Sequence, residues 1–138
     1  MRKSLSMLAV VLLLAAAGCQ KLNYSETAEV KPGQVWTKGF TAPAYDQEVK
    51  VMIEPADCSV SAYLATDANQ EAARDFLERS ALGKAPDAKM VLGGKTFKPS
   101  DSKQDYDFTV TVPARTGFWL LINGGKQTTK VKIRVVGK

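Results

Sequence analysis

None of the 138 residues is a histidine, so the chemistry open to this chain is that of carboxylates, hydroxyls, amines and thiols. A Ser-His-Asp or Cys-His nucleophile and an imidazole-based zinc site are excluded outright. Carboxylates recur at period two, Asp46 with Glu48 and Asp105 with Asp107. Two acids about 5–9 Å apart would serve a glycosidase, and the same spacing also describes a solvated strand edge. The run DSKQDYD gathers Asp101, Ser102, Asp105 and Asp107. Calcium takes six to eight oxygen ligands, which makes Asp101, Asp105 and Asp107 the calcium candidates, although the central glycine and closing glutamate of an EF-hand loop are missing. No other cofactor is implied, since Gly93-Gly94 and Gly124-Gly125 read as turns and not as phosphate-cradling loops.

The two cysteines belong to different settings. Arg2 and Lys3 precede an uncharged run from Leu5 to Ala17. At about 13 residues it is too short for an ordinary spanning helix and of the right length for a secretory h-region. Ala16-Ala17-Gly18-Cys19 closes the run. This resembles the lipobox of bacterial lipoproteins, in which a dedicated peptidase cleaves before the cysteine; Ala16 stands where the pattern prefers leucine. The resemblance implies that residues 1–18 are a signal peptide and that Cys19 carries a diacylglyceryl thioether with a further acyl chain on its new amino group. Each buried methylene contributes about 0.8 kcal/mol, so two or more chains anchor stably, and the first partner is a membrane. Gln20 follows, and resemblance to the sorting rule of enteric bacteria implies the outer membrane, facing the periplasm or the cell surface.

Loss of Arg2 and Lys3 from the 19 cationic side chains leaves 17 against 14 acids, a net charge of +3. That is too sparse for nucleic acid, which asks for a dense basic stripe. Cys58 then has no intramolecular partner; it is a small buried apolar residue or, alternatively, an intermolecular one.

Several elements must position these residues. Residues 19–33 read as the acylated cysteine and a polar tether, with a reach of at most about 50 Å, and residues 34–138 as one domain. Period-two alternation marks half-buried strands: Val49, Val51 and Ile53; Val60, Ala62 and Leu64; Tyr106, Phe108, Val110 and Val112; Val131, Ile133 and Val135. Phe118 to Ile122 adds another, and Val35 to Phe40 and Lys89 to Leu92 add weaker candidates. Asn123-Gly124-Gly125 is a hairpin signal between Ile122 and the last strand. About seven short strands predict a mainly β fold, an antiparallel, jelly-roll-like β-sandwich. One helix is predicted within DANQEAARDFLERSALG, from Asp67 to Gly83, with Asp67 and Gln70 as a capping box and Gly83 as C-cap.

CSVSAYLATD and DYDFTVTVPARTGFWLLINGG resemble the small pre-peptidase C-terminal-like β-sandwich domains of bacterial secreted proteins. That resemblance implies an appended binding or solubilising module, in some cases assisted by calcium. In FWLLI, Phe118, Leu120 and Ile122 face the core and leave Trp119 and Leu121 on the other face. Either the helix covers that face through Phe76 and Leu77, or it is a partner or glycan platform built on Trp119 and Leu121 with Trp36 and Tyr63. Lys130, Lys132 and Arg134 on the last strand either protect a sheet edge or contact a polyanion. The expected function is that of a membrane-anchored, non-enzymatic binding or structural module of the cell envelope, with an envelope protein or glycan as partner. The alternative is a carboxylate-dependent hydrolase of envelope glycans.

Overall fold

Alternation of branched and polar side chains becomes eight strands in the computed structural model, which describes residues 21–80, 84–99 and 106–138. In chain order these are β1 (Asn23–Val30), β2 (Val35–Phe40), β3 (Gln47–Pro55), β4 (Val60–Thr66), helix α1 (Gln70–Arg79), β5 (Gly93–Phe97), β6 (Asp107–Val112), β7 (Phe118–Asn123) and β8 (Thr129–Gly137). They form two four-stranded antiparallel sheets, ordered β1-β8-β3-β6 and β2-β7-β4-β5. Strands pair first with last, β1 with β8, β2 with β7, β3 with β6 and β4 with β5. The chain is thus one long hairpin, turned at β4–β5 and rolled into two layers, which is the jelly-roll form of the expected sandwich.

The inward faces of both sheets make the main core. Val49, Val51 and Ile53 of β3 meet Val60, Ala62 and Leu64 of β4, Leu120 and Ile122 of β7, and Val131 and Val135 of β8, all fully buried. Each of the larger side chains contributes about 1.5–3 kcal/mol by leaving water. One end of this core is closed by aromatic rings. Phe40 stacks on Phe118 with centroids 5.1 Å apart and planes 11° apart, and Tyr24 meets Phe40 edge-on at 5.4 Å.

Four expectations are corrected. Residues 23–30 of the predicted tether are β1, in register with β8 from Asn23↔Val136 to Val30↔Thr129. Its alternation is masked because only Ala28 and Val30 are buried in a strand that lies at the sheet edge. Lys89 to Leu92 is no strand. The Asp87 backbone accepts from Met90 N at 2.8 Å and its carboxylate from Lys89 N at 3.1 Å, closing a turn before β5. Asn123-Gly124-Gly125 does not make a hairpin, since β7 and β8 lie in different sheets and the turn carries the chain across the sandwich. Finally, β8 is a central strand, so edge protection does not explain its cations.

The helix is shorter than the pattern suggested and is capped differently. Asn69 is its N-cap without a side-chain cap bond, and its amide reaches instead to Lys89 O at 3.2 Å. Ser80, in extended conformation, ends it, and Ala81 and Gly83 lie outside the described residues. Among the described residues no helix is long and apolar enough to cross a membrane.

Candidate functional site

Outward-facing surfaces of the two sheets have opposite fates. Over β2-β7-β4-β5, helix α1 lays Ala73 and Leu77 onto Tyr63, Ala65 and Leu121, forming a second, smaller buried cluster. Leu121 is fully buried and Tyr63 nearly so. Burial pushes the Tyr63 phenol above its ordinary value of 10.0, opposed by a smaller pull from a hydrogen bond with Ser61. Trp119 sits half-buried at the margin of the cluster. Its indole N–H donates to Asp67 Oδ1 at 2.7 Å, the carboxylate expected to cap the helix. Two glycines make this arrangement possible. A Cβ on Gly39, the β2 residue opposite Trp119, would come within 3.0 Å of the indole, and one on Gly117 within 2.2 Å of Asp67 Oδ2.

The aromatic platform is therefore not assembled. Tyr63, Leu121 and Trp119 belong beneath and beside the helix, and Trp36 packs on the opposite, inward face against the main core. The helix cover anticipated through Leu77 is present, with Phe76 packed at its margin.

Over β1-β8-β3-β6 nothing is packed among the described residues, and the face is open. Lys130, Lys132 and Arg134 stand in a row down its centre, all exposed. Register places Glu29 of β1 beside Lys130, Glu54 of β3 beside Lys132, and Ser25 and Met52 on either side of Arg134. Lys50 of β3 bridges Asp107 of β6 at 3.5 Å. The result is a shallow groove of about 560 Å³, lined by Ser25, Thr27, Met52, Glu54, Lys132 and Arg134 with Glu26 and Ile133. Its charge is mixed. The cationic row is flanked in register by Glu29 and Glu54 of the neighbouring strands, which weakens the field seen by an extended polyanion while leaving local donors and acceptors in place. The basic residues were legible in the sequence; Met52, Glu54 and Glu29 beside them were not, because only strand register joins them.

The carboxylates of the hydrolase alternative have other partners. Asp46 Oδ1 accepts from Ala114 N at 2.8 Å, tying the β2–β3 loop to the β6–β7 loop, and Glu48 pairs with Lys138 Nζ at 3.4 Å. Asp107 is the one calcium candidate in view, and it faces Lys50; Asp101, Asp105 and the acylation candidate Cys19 lie outside the described residues. No group of three metal-ligating side chains occurs among the described residues. Cys58 is half-buried, not fully enclosed, and its thiol donates to Gln127 O at 3.4 Å.

The sequence matches no protein-family model and no curated protein. In three dimensions the chain is similar to PliG of Aeromonas hydrophila, a periplasmic lysozyme inhibitor of g-type lysozyme, with a TM-score of 0.56 and 10% identity over 86% of this chain and 88% of that one. It is also similar to a part of tripeptidyl peptidase 2, with a TM-score of 0.55 and 8% identity, over 86% of this chain and 10% of that one. At such identities the likeness is one of fold: a small β-sandwich that stands alone in one protein and forms a tenth of another.

Proposed function

We propose that this chain is a lipid-anchored, extracytoplasmic binding module without catalytic activity of its own, and that it docks a protein of the cell envelope on the open face of β1-β8-β3-β6. The observation that carries this reading is the contrast between the two outer faces. One is sealed by α1, while the other presents Met52 and the aliphatic stems of Lys132 and Arg134 among paired and unpaired charges. Long cationic side chains cover apolar surface with their stems while keeping their heads in water. A face with one thioether, several stems and alternating charge suits a protein surface of complementary mixed charge. It suits a uniformly anionic polymer less well, because Glu29 and Glu54 would face the polymer's own charges. The similarity of fold to a periplasmic protein that inhibits a lysozyme supports protein binding as a use of this architecture. The lipobox-type segment ending at Cys19 supports the anchor.

The test is site-directed photocross-linking in intact cells. A photoreactive residue replacing Met52 is expected to give one discrete adduct with an envelope protein, and Arg134→Glu is expected to weaken it. A photoreactive residue replacing Lys89, on the other side of the molecule, is the control. Identical products from both positions, or none from Met52, would remove the docking face.

A further inference from the structure

The start of β1 fixes how the domain meets its membrane. Because Asn23 is already paired with Val136, only Gln20, Lys21 and Leu22 separate the proposed anchor residue from the first strand. Leu22 is half-buried, with its carbonyl accepting from Gly137 N at 2.9 Å, and Cys19 is three residues away, a reach of about 10 Å at full extension. The part of the domain around Leu22 must then lie at the headgroups. That part has a distinctive surface. A cleft of about 750 Å³ runs from Leu22 across Phe40 and the β2–β3 loop to Lys138. On its rim stands Tyr45, 82% exposed and the one large hydrophobic side chain so exposed among the described residues. The loop that carries it is not free, since Pro43 O accepts from Arg115 N at 2.7 Å and Asp46 is bound by Ala114. Three exposed cations belong to this end of the domain: Lys21, next to Leu22; Arg115, tied by its backbone to Pro43; and Lys138, which lines the cleft and pairs with Glu48.

We infer that this end of the sandwich is a membrane-contact surface, in which Tyr45 inserts at the headgroup level of an anionic bilayer and Lys21 and Arg115 meet its phosphates. The inference rests on the lipid anchor proposed above. An exposed tyrosine at an end of the domain that also carries cations is what an interface between water and hydrocarbon favours, since its ring prefers the acyl boundary and its hydroxyl the water. An acylated residue three positions from the domain holds the surface within reach, so the contact needs little affinity of its own. The strands then run outward from the bilayer, with the open face of β1-β8-β3-β6 side-on to it and the Gly124-Gly125 turn at the far end.

The experiment uses the full acylated chain in vesicles of phosphatidylethanolamine and phosphatidylglycerol. An environment-sensitive fluorophore is attached at Ala44→Cys, or at Lys126→Cys at the opposite end, in a Cys58→Ser background. Quenching by headgroup nitroxide lipid is expected to be several-fold stronger at position 44 than at 126. Tyr45→Ser combined with Arg115→Glu should reduce it while the protein still sediments with vesicles. Equal quenching at both positions, with acyl chains present on Cys19 by mass spectrometry, would overturn the membrane-contact surface and leave the anchor standing. A Cys19 peptide without acyl chains would overturn the anchor and this inference together.

Discussion

Trp119 owes its place to Asp67 as much as to the strand that carries it. The alternation of β7 puts the indole on the outer face, and the backbone of Asp67, whose N–H donates to Gly117 O at 2.9 Å, brings the carboxylate to the ring nitrogen. A charge-assisted hydrogen bond of this kind at a half-exposed site is worth about 1 kcal/mol. Asp67→Ala is therefore expected to lower stability by about that much in urea denaturation, with a change in the tryptophan emission. An unchanged emission maximum would show that packing alone holds the ring. Tyr63 makes a second residue-scale case. Burial raises its phenol above the ordinary 10.0, so the folded state holds its proton more tightly than the unfolded chain does. The stability this contributes is complete below pH 10 and is lost as pH rises through the folded value. Tyr63→Phe is expected to flatten part of the alkaline decline in melting temperature relative to the parent chain. A decline identical in both proteins would assign the alkaline sensitivity to other groups.

At the scale of elements, what the sequence made legible depended on how many faces of a strand are buried. β3, β6 and β8 alternate cleanly, and the pattern places them within a residue or two; β7, buried on both faces, is marked by its apolar run from Phe118 to Ile122. β4 is buried on both faces, with Tyr63 and Ala65 under the helix, yet the alternation of Val60, Ala62 and Leu64 with Ser61 and Tyr63 still marks it as a strand. β1 reads as a tether because its outward positions are all polar and, of its inward ones, only Ala28 and Val30 are buried, with Tyr24 half-buried at the core's end; no local pattern reveals pairing with a strand a hundred residues away. The same pairing yields a sharp expectation. If residues 19–33 were a tether, a chain beginning at residue 34 would fold as well as one beginning at residue 21. Removing β1 withdraws two buried side chains worth about 2–3 kcal/mol, unpairs β8 along one side, and exposes the ends of Val131 and Val135. The chain beginning at residue 34 is expected to be unfolded or associated at 25 °C by circular dichroism and size-exclusion chromatography, and the chain beginning at residue 21 folded and monomeric. Equal melting temperatures would return the segment to the status of a linker.

For the whole molecule, the sheet order was not legible beyond its class, since period two reports which face is buried and not which strand is the neighbour. That is why the last strand looked like an edge and the Asn123-Gly124-Gly125 turn like a hairpin. Topology also decides how stability is shared. The sheet β2-β7-β4-β5 is common to both cores, with Leu120 and Ile122 on one side and Leu121 on the other. The two tryptophans report on the two cores separately, because Trp36 packs against the core between the sheets and Trp119 against the cluster under α1. Single-tryptophan variants, Trp36→Phe and Trp119→Phe, therefore offer independent probes of one unfolding reaction. Neither core can be lost while the shared sheet survives intact unless α1 lifts away alone, which would expose Leu121, Tyr63 and Ala65 together. Burial of those side chains opposes such lifting by several kcal/mol. The expected outcome is a single cooperative transition with the same midpoint in urea for both fluorescence signals and for the far-ultraviolet sheet signal. An earlier midpoint for Trp119 alone would mean that the helix opens before the sandwich, turning the sealed face into a second surface that a partner can reach.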